Sequence, residues 1–113
     1  MFNDFSEEIN ILNENQDVQE KVVSYLLKKG YNPELKGFKY FSDIATIGLI
    51  KKKYSKTFMC EIYPFIAHKY NIRMFSVQRQ LRYTFTLASS NVEKIRPEEL
   101  YQKLWFDFKL GNI

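Results

Sequence analysis

The sequence has few of the residues from which catalytic and metal sites are built. It contains one cysteine, Cys60, and one histidine, His68, which are too few ligands for a zinc site. A single cysteine cannot form an internal disulfide, so we expect a reducing, cytoplasmic compartment. We expect Cys60 to be a buried small apolar side chain and His68 to lie on the surface.

Membrane, secretion and catalytic signals are missing as well. No apolar run approaches the roughly 18 residues of a membrane helix. The acidic N-terminus lacks the basic and apolar regions of a secretory signal. There is no Ser-His-Asp order, no glycine-rich phosphate loop and no clustered carboxylate pair. We therefore expect no enzymatic activity, no cofactor, no metal, no membrane association and no small-molecule substrate.

Basic residues are absent from the first 20 positions, and this absence divides the chain. Residues 1–20 carry a net charge of −6, whereas the remaining residues carry +10. We accordingly expect an acidic leader, residues 1–16, and a basic domain, residues 17–113. A basic domain suits a polyanion-binding protein because Lys and Arg release counterions from phosphates. Ordinary surface solvation explains the charge equally well.

Bulky apolar residues are plentiful. Apolar residues make up 45% of the 113 positions and include ten Phe and eight Tyr, which is enough for one domain with one modest core. In the leader, Phe2, Phe5, Ile9 and Leu12 fall at helical spacing and form an apolar stripe. That stripe could dock on the rest of the chain, pair with a second chain or stay mobile.

Apolar periodicity predicts helices through most of the chain, and no segment alternates as a strand does. The fold class is therefore all-α: a single small bundle of about five to six helices that contains a helix-turn-helix. The predicted helices cover residues 17–29, 40–53, 58–70, 75–89 and a last segment that starts near Pro97.

Several local signals refine these boundaries. Asp17 is a plausible N-cap, and Gly30 can close the same helix in a left-handed conformation. Lys36-Gly37 reads as a turn. Gly48 lowers helix propensity but allows close helix packing, and Pro64 should either kink its helix or mark its true start.

Residues 62–83 have the pattern of a helix-turn-helix. Ala67 is a small residue at the expected helix crossing, and Asn71, four positions later, tolerates positive φ in the turn. Val77 and Leu81 supply apolar anchors in the second helix, whose inward face continues through Thr84/Phe85 and Ala88.

The second helix of the motif presents side chains suited to DNA. Gln78, Arg79 and Arg82 project outward, and Gln and Arg can bond adenine and guanine edges. Lys69, Arg73 and Ser76 are better placed for phosphate oxygens. Many helical hairpins share these features, so the pattern by itself leaves a plain structural role open. The candidate DNA-contact residues are Lys69, Arg73, Ser76, Gln78, Arg79, Arg82 and Tyr83.

Two strings in the sequence carry a resemblance to a known family. They are Lys29-Gly30-Tyr31-Asn32-Pro33-Glu34-Leu35-Lys36-Gly37-Phe38-Lys39-Tyr40-Phe41 and Ile62-Tyr63-Pro64-x-Ile66-Ala67-x-Lys69-Tyr70-Asn71. Together they resemble the C-terminal effector domain of the sporulation initiation response regulators, the stage-zero sporulation protein A family of endospore-forming bacteria. The resemblance implies a helical bundle that binds promoter DNA, usually as a tandem dimer, with a recognition helix that begins near Phe75.

The chain also departs from the family pattern. Ser76 stands where the family has Arg, and Gln78 where it has Glu, so the preferred DNA sequence need not be the family's. Gln80 replaces a small residue, and the segment from Ser89 to Arg96 is shorter. We expect no phosphoacceptor receiver domain and hence no control by aspartate phosphorylation within this chain.

These observations lead to a functional hypothesis and two alternatives. The leading hypothesis is a sequence-specific double-stranded-DNA-binding transcriptional regulator, acting as an effector domain and able to form a homodimer. The first alternative is a protein-interaction module that hetero-oligomerises with a related full-length regulator and antagonises it. The second is self-inhibition, in which the acidic leader covers the basic face and competes with phosphates.

Overall fold

The computed structural model describes residues 4–87 and 93–111. In these ranges the chain forms α-helices and one π-helical turn, with no strand, so the predicted all-α fold is confirmed. No helix in these ranges is long and apolar enough to cross a membrane. The elements are α1 (Ser6–Glu14), α2 (Gln16–Lys28), α3 (Lys36–Lys51), α4 (Phe58–Tyr70), α5 (Met74–Arg82), the π-helical turn (Tyr83–Leu87) and α6 (Pro97–Lys109).

Helix α3 is the centre of the bundle. It contacts all five other helices and the π-helical turn. Phe41, Ile44 and Ile47 are fully buried, and only Lys39 is exposed between Gly37 and Gly48. A helix that is covered on every side is apolar around most of its circumference, and its buried polar side chains need hydrogen-bond partners. Helix α3 accordingly has no continuous polar face, and its buried polar side chains are hydrogen-bonded.

Two glycines let neighbouring elements approach α3 closely. A Cβ atom at Gly37 would overlap the Thr84 side chain and the backbone carbonyl of Gln80. A Cβ atom at Gly48 would overlap the Tyr101 ring, so the prediction of close packing at Gly48 is confirmed. The predicted turn at Lys36-Gly37 is wrong, because both residues lie in the first turn of α3. The glycine at position 37 is needed because Gln80 and Thr84 approach α3 closely there, and not because the chain turns.

Other boundary predictions have mixed outcomes. Gly30 follows α2 with φ 91°, as expected of a left-handed helix end. Asp17 is not the N-cap of α2, because α2 begins at Gln16 and Asn15 precedes it. Helix α4 begins at Phe58 and continues through Pro64, so the proline does not mark its start. The predicted helix over 75–89 is α5 followed by the π-helical turn, and Ala88 and Ser89 lie outside the described residues.

The acidic leader docks on the rest of the chain. Leu12 is 7% exposed and joins the common core, while the Phe5 ring lies 5.5 Å from the Phe65 ring of α4. Nζ of Lys51, at the end of α3, lies 2.8 Å from a carboxylate oxygen of Glu7. Of the three alternatives for the leader, the structure shows intramolecular docking.

A buried carboxylate joins three helices. Asp43 on α3 is 2% exposed and accepts hydrogen bonds from Gln19 of α2 and from two residues at the end of α4. The Lys69 ammonium donates over 2.7 Å and the Tyr70 hydroxyl over 2.6 Å. Burial and the Asp43 carboxylate raise the pKa of Tyr70, so its hydroxyl stays protonated and donates. We call these four residues the Asp43 clamp.

The prediction that Cys60 is buried is wrong. Cys60 is exposed, because the buried face of α4 consists of other residues, among them Met59, Ile62 and Ile66. Phe106 of α6 is 63% exposed, whereas its neighbours Trp105 and Phe108 pack partly against the core. His68 is exposed as expected. No group of three or more His, Cys, Asp and Glu side chains in the described ranges is arranged to hold a metal ion.

Replacing Gly37 by Ala should destabilise the fold. Alanine adds helix propensity worth up to about 1 kcal/mol, but its methyl group meets the Gln80 backbone, which cannot rotate away. Overpacking costs about 1–3 kcal/mol, so we expect a net loss. Chemical denaturation measures this loss. Lys36→Ala, at the exposed neighbouring position, is the control, and equal stability of the two variants would contradict the close approach.

Replacing Asp43 by Asn should also lower the free energy of unfolding. The amide cannot accept from all three donors as a carboxylate does, and partly buried donors left unpaired cost about 1–3 kcal/mol. The partly exposed Lys69 places the loss at the lower end of that range. Glu99→Gln removes one partner of an exposed ion pair with Arg96 and serves as the control. A loss in Asp43→Asn no greater than in this control would show that the clamp contributes nothing.

Candidate nucleic-acid interface

Helices α4 and α5 form the predicted helix-turn-helix. Asn71 has φ 54° and ψ 52°, the left-handed conformation that lets the chain reverse after α4. The Ile72 amide donates to the Ala67 carbonyl over 2.9 Å, which closes the turn. Arg73 is extended and precedes α5. The turn predicted from Asn71 is therefore confirmed.

The inner face of α5 fixes its position on the bundle. Val77 and Leu81 are 0% and 1% exposed, and Thr84 and Phe85 continue this buried face into the π-helical turn. The Phe85 ring lies 5.1 Å from the Phe41 ring of α3. Rotation of α5 about its axis would expose these side chains to water, so the apolar contacts determine which side chains face outward.

The outer face of α5 presents arginine and glutamine. Gln78, Arg79 and Arg82 are exposed, as is Tyr83 in the π-helical turn, at 46%. Among the described residues, none of the arginines of α5 takes part in a salt bridge. The Arg79 guanidinium lies 5.4 Å from the centre of the Phe75 ring. The guanidinium groups are therefore available to a ligand.

The electrostatic environment at the N-terminal end of α5 favours binding of an anion. Its first turn contains no acidic residue, and the positive end of the helix dipole favours negative charge. Arg73 is exposed at this end, and Ser76 is half-buried. A phosphate group here would meet positive charge from both the helix and the Arg73 side chain.

Lys69 occupies a different environment from the other candidate residues. Its ammonium group belongs to the Asp43 clamp, and its side chain is 37% exposed. No local sequence pattern indicates this partner, because Asp43 and Lys69 are 26 positions apart in the chain. The structure thus brings Arg73, Ser76, Gln78, Arg79, Arg82 and Tyr83 together on and beside α5, with Lys69 attached to the bundle.

Two exposed apolar side chains on α5 were not among the predicted contacts. Phe75 is 66% exposed and lies one turn before Arg79 on the same face, and Met74 is 46% exposed. Exposed apolar side chains on such a face can contact thymine methyl groups. The helical register placed Phe75 outward, so the signal was present in the sequence.

Comparison with known proteins gives one family. The family model described as sporulation initiation factor Spo0A C terminal matches residues 22–104, which is more than half of the chain. No curated protein matches the chain, and no solved structure does. The matched range covers the bundle from α2 to α6 and includes the whole helix-turn-helix. The chain belongs to the family of the C-terminal domain of sporulation initiation factor Spo0A, a family of DNA-binding effector domains.

Proposed function

We propose that this protein is a sequence-specific transcriptional regulator that reads duplex DNA with α5. The observation that carries the proposal is the outer face of α5, where Arg79 and Arg82 are exposed and free of ion pairs in the described part of the chain. Membership of a DNA-binding family supports the same function. A helix presented in this way fits the major groove.

The side chains divide into two groups by position. Gln78, Arg79 and Arg82 lie along the exposed face and are proposed to contact base edges. Arg73, Ser76 and Tyr83 lie at the two ends of the helix, where phosphates of the flanking strands are expected. This division predicts that the first group carries sequence preference and the second carries affinity.

Lys69 can contribute to phosphate binding without leaving its clamp. An ammonium group has three donors, and the bond to Asp43 uses one of them. Since the side chain is 37% exposed, the remaining donors can reach water or a phosphate oxygen. We therefore propose Lys69 as a shared residue that links the bundle core to the DNA backbone.

Removing either arginine from the outer face should weaken DNA binding. Arg79→Ala and Arg82→Ala should each raise the Kd for duplex DNA by about five- to 150-fold, the equivalent of 1–3 kcal/mol for a good bidentate contact. Each loss should also make binding less steeply dependent on salt. Fluorescence anisotropy over a range of salt concentrations measures both effects on a duplex selected from a random pool.

A matched control separates a specific contact from the general effect of charge. Lys103→Ala removes one cation from α6, where its ammonium lies 2.9 Å from a Glu93 carboxylate oxygen. This variant should bind DNA nearly as wild type does. Salt-insensitive binding, or unchanged binding by both arginine variants, would contradict the proposal. A folded protein that binds no duplex would instead favour the alternative of a protein-interaction module.

Replacing Gln78 by Glu should change which base is preferred. Glutamine pairs with adenine N6 and N7, whereas glutamate accepts from cytosine N4. Selection from a random duplex pool should show one operator position that changes from adenine to cytosine, with lower affinity overall because a negative charge is added. An unchanged base preference at every operator position would show that Gln78 does not contact a base edge.

A further inference from the structure

A cavity lies beside the recognition helix, between α4, α5 and the start of α6. Its volume is about 480 Å³, which is within the range of small-molecule sites. Polar side chains from all three helices line it, with Leu81 and Pro97 as apolar walls. Among the lining side chains that can bond or react with a ligand are Cys60, Tyr63, Gln78, Arg82, Arg96 and Glu98.

The side chain of Tyr63 lines this cavity and is nearly all buried. Tyr63 is 4% exposed, and its hydroxyl makes no hydrogen bond with any residue in the described ranges. Burial, together with the nearby Cys60 and Glu98, raises the pKa of Tyr63, so the hydroxyl keeps its proton at neutral pH. A hydroxyl that opens into the cavity and has no partner among the described residues is free to donate to a ligand bound there.

The charges around the cavity define the chemistry of that ligand. Arg82 is exposed, and the one ion pair of Arg96 within residues 4–87 and 93–111 is a 3.3 Å pair with Glu99 in which both side chains face solvent. Two guanidinium groups at one opening suit a phosphate, which arginine binds with paired hydrogen bonds. Glu98 is half-buried and contributes an acceptor for hydroxyl groups. A ligand that satisfies both needs a phosphate and neighbouring hydroxyls.

We propose that this cavity binds a phosphorylated sugar, either free or as part of a nucleotide. The phosphate contacts Arg82 and Arg96, the sugar hydroxyls donate to Glu98, and the Tyr63 hydroxyl donates into the ligand. A nucleoside monophosphate fits within the available volume. The site lies between helices of a bundle, which is a common place for small ligands.

Occupation of the cavity should oppose DNA binding. Gln78 and Arg82 line the cavity and also lie on the face of α5 that is proposed to contact bases. A guanidinium group held by a ligand phosphate is not available to guanine. This part of the inference rests on the proposed DNA-binding function, whereas ligand binding itself does not.

Cys60 provides a direct readout of the cavity. It is the only cysteine in the chain, it is exposed, and it lines the cavity. Intact-mass spectrometry would follow its alkylation by iodoacetamide, a neutral reagent, in the full chain without DNA. Ribose 5-phosphate and adenosine 5′-monophosphate should slow alkylation at millimolar concentration. Ribose and inorganic phosphate, at matched ionic strength, should not slow it to the same extent.

Two variants test the residues that are assigned to the ligand. Tyr63→Phe removes only the hydroxyl and should weaken protection about two- to tenfold, as expected for one hydrogen bond. Arg96→Gln should weaken it about tenfold or more, because a charge-assisted bond is lost. Tyr54→Phe makes the same chemical change as the first variant at a tyrosine that does not line this cavity and is 71% exposed, so protection should be unchanged.

The possible outcomes distinguish ligand binding in the cavity from its effect on DNA binding. If no phosphorylated probe changes the rate of Cys60 alkylation, the proposal that the cavity binds a sugar phosphate is wrong. Protection in Tyr63→Phe equal to that in the wild type would also contradict it. Protection by inorganic phosphate as strong as by ribose 5-phosphate would overturn the assignment to a sugar. In anisotropy measurements, a saturating probe should raise the Kd for DNA at least fivefold. An unchanged Kd would overturn the coupling, while absence of all DNA binding would overturn the proposed function and leave the alkylation result intact.

Discussion

The close approach of α5 to α3 at Gly37 is the constraint on which the interface depends. The backbone of Gln80 and the side chain of Thr84 occupy the space that a Cβ atom would need. With the two elements this close, Val77, Leu81 and Phe85 are fully buried. Because α5 buries this face and its opposite face is uncovered, the contact directs the arginines of α5 toward solvent.

The Asp43 clamp adds a polar constraint to the apolar one. Apolar contacts tolerate small displacements, whereas hydrogen bonds require defined distances and angles. The clamp fixes Lys69 and Tyr70 just before the turn at Asn71, so it also restrains the direction in which the chain enters α5. One buried carboxylate thereby connects α2, α3 and α4 to the geometry of the interface.

The charge asymmetry of the sequence has a structural counterpart. Glu7 and Glu8 of the leader lie 2.8 Å and 3.8 Å from the Lys51 ammonium, at the C-terminal end of α3. Phe5 packs beside Phe65 and His68 of α4. In the described part of the leader, from residue 4 onward, the ion pairs are therefore with α3 and not with the arginines of α5. These contacts give no support to self-inhibition by the leader. The Arg73 side chain beside the turn stays exposed.

The sequence by itself determined the all-helical class, the turn at Asn71 and the outward register of Gln78, Arg79 and Arg82. These follow from local rules: apolar spacing, the tolerance of asparagine for positive φ and the period of the helix. Only the tertiary structure decided the role of Gly37, the pairing of Lys69 with Asp43 and the cavity around Tyr63. Each of these depends on atoms that are distant in the chain and become neighbours only when the helices pack, so no local pattern could have revealed them.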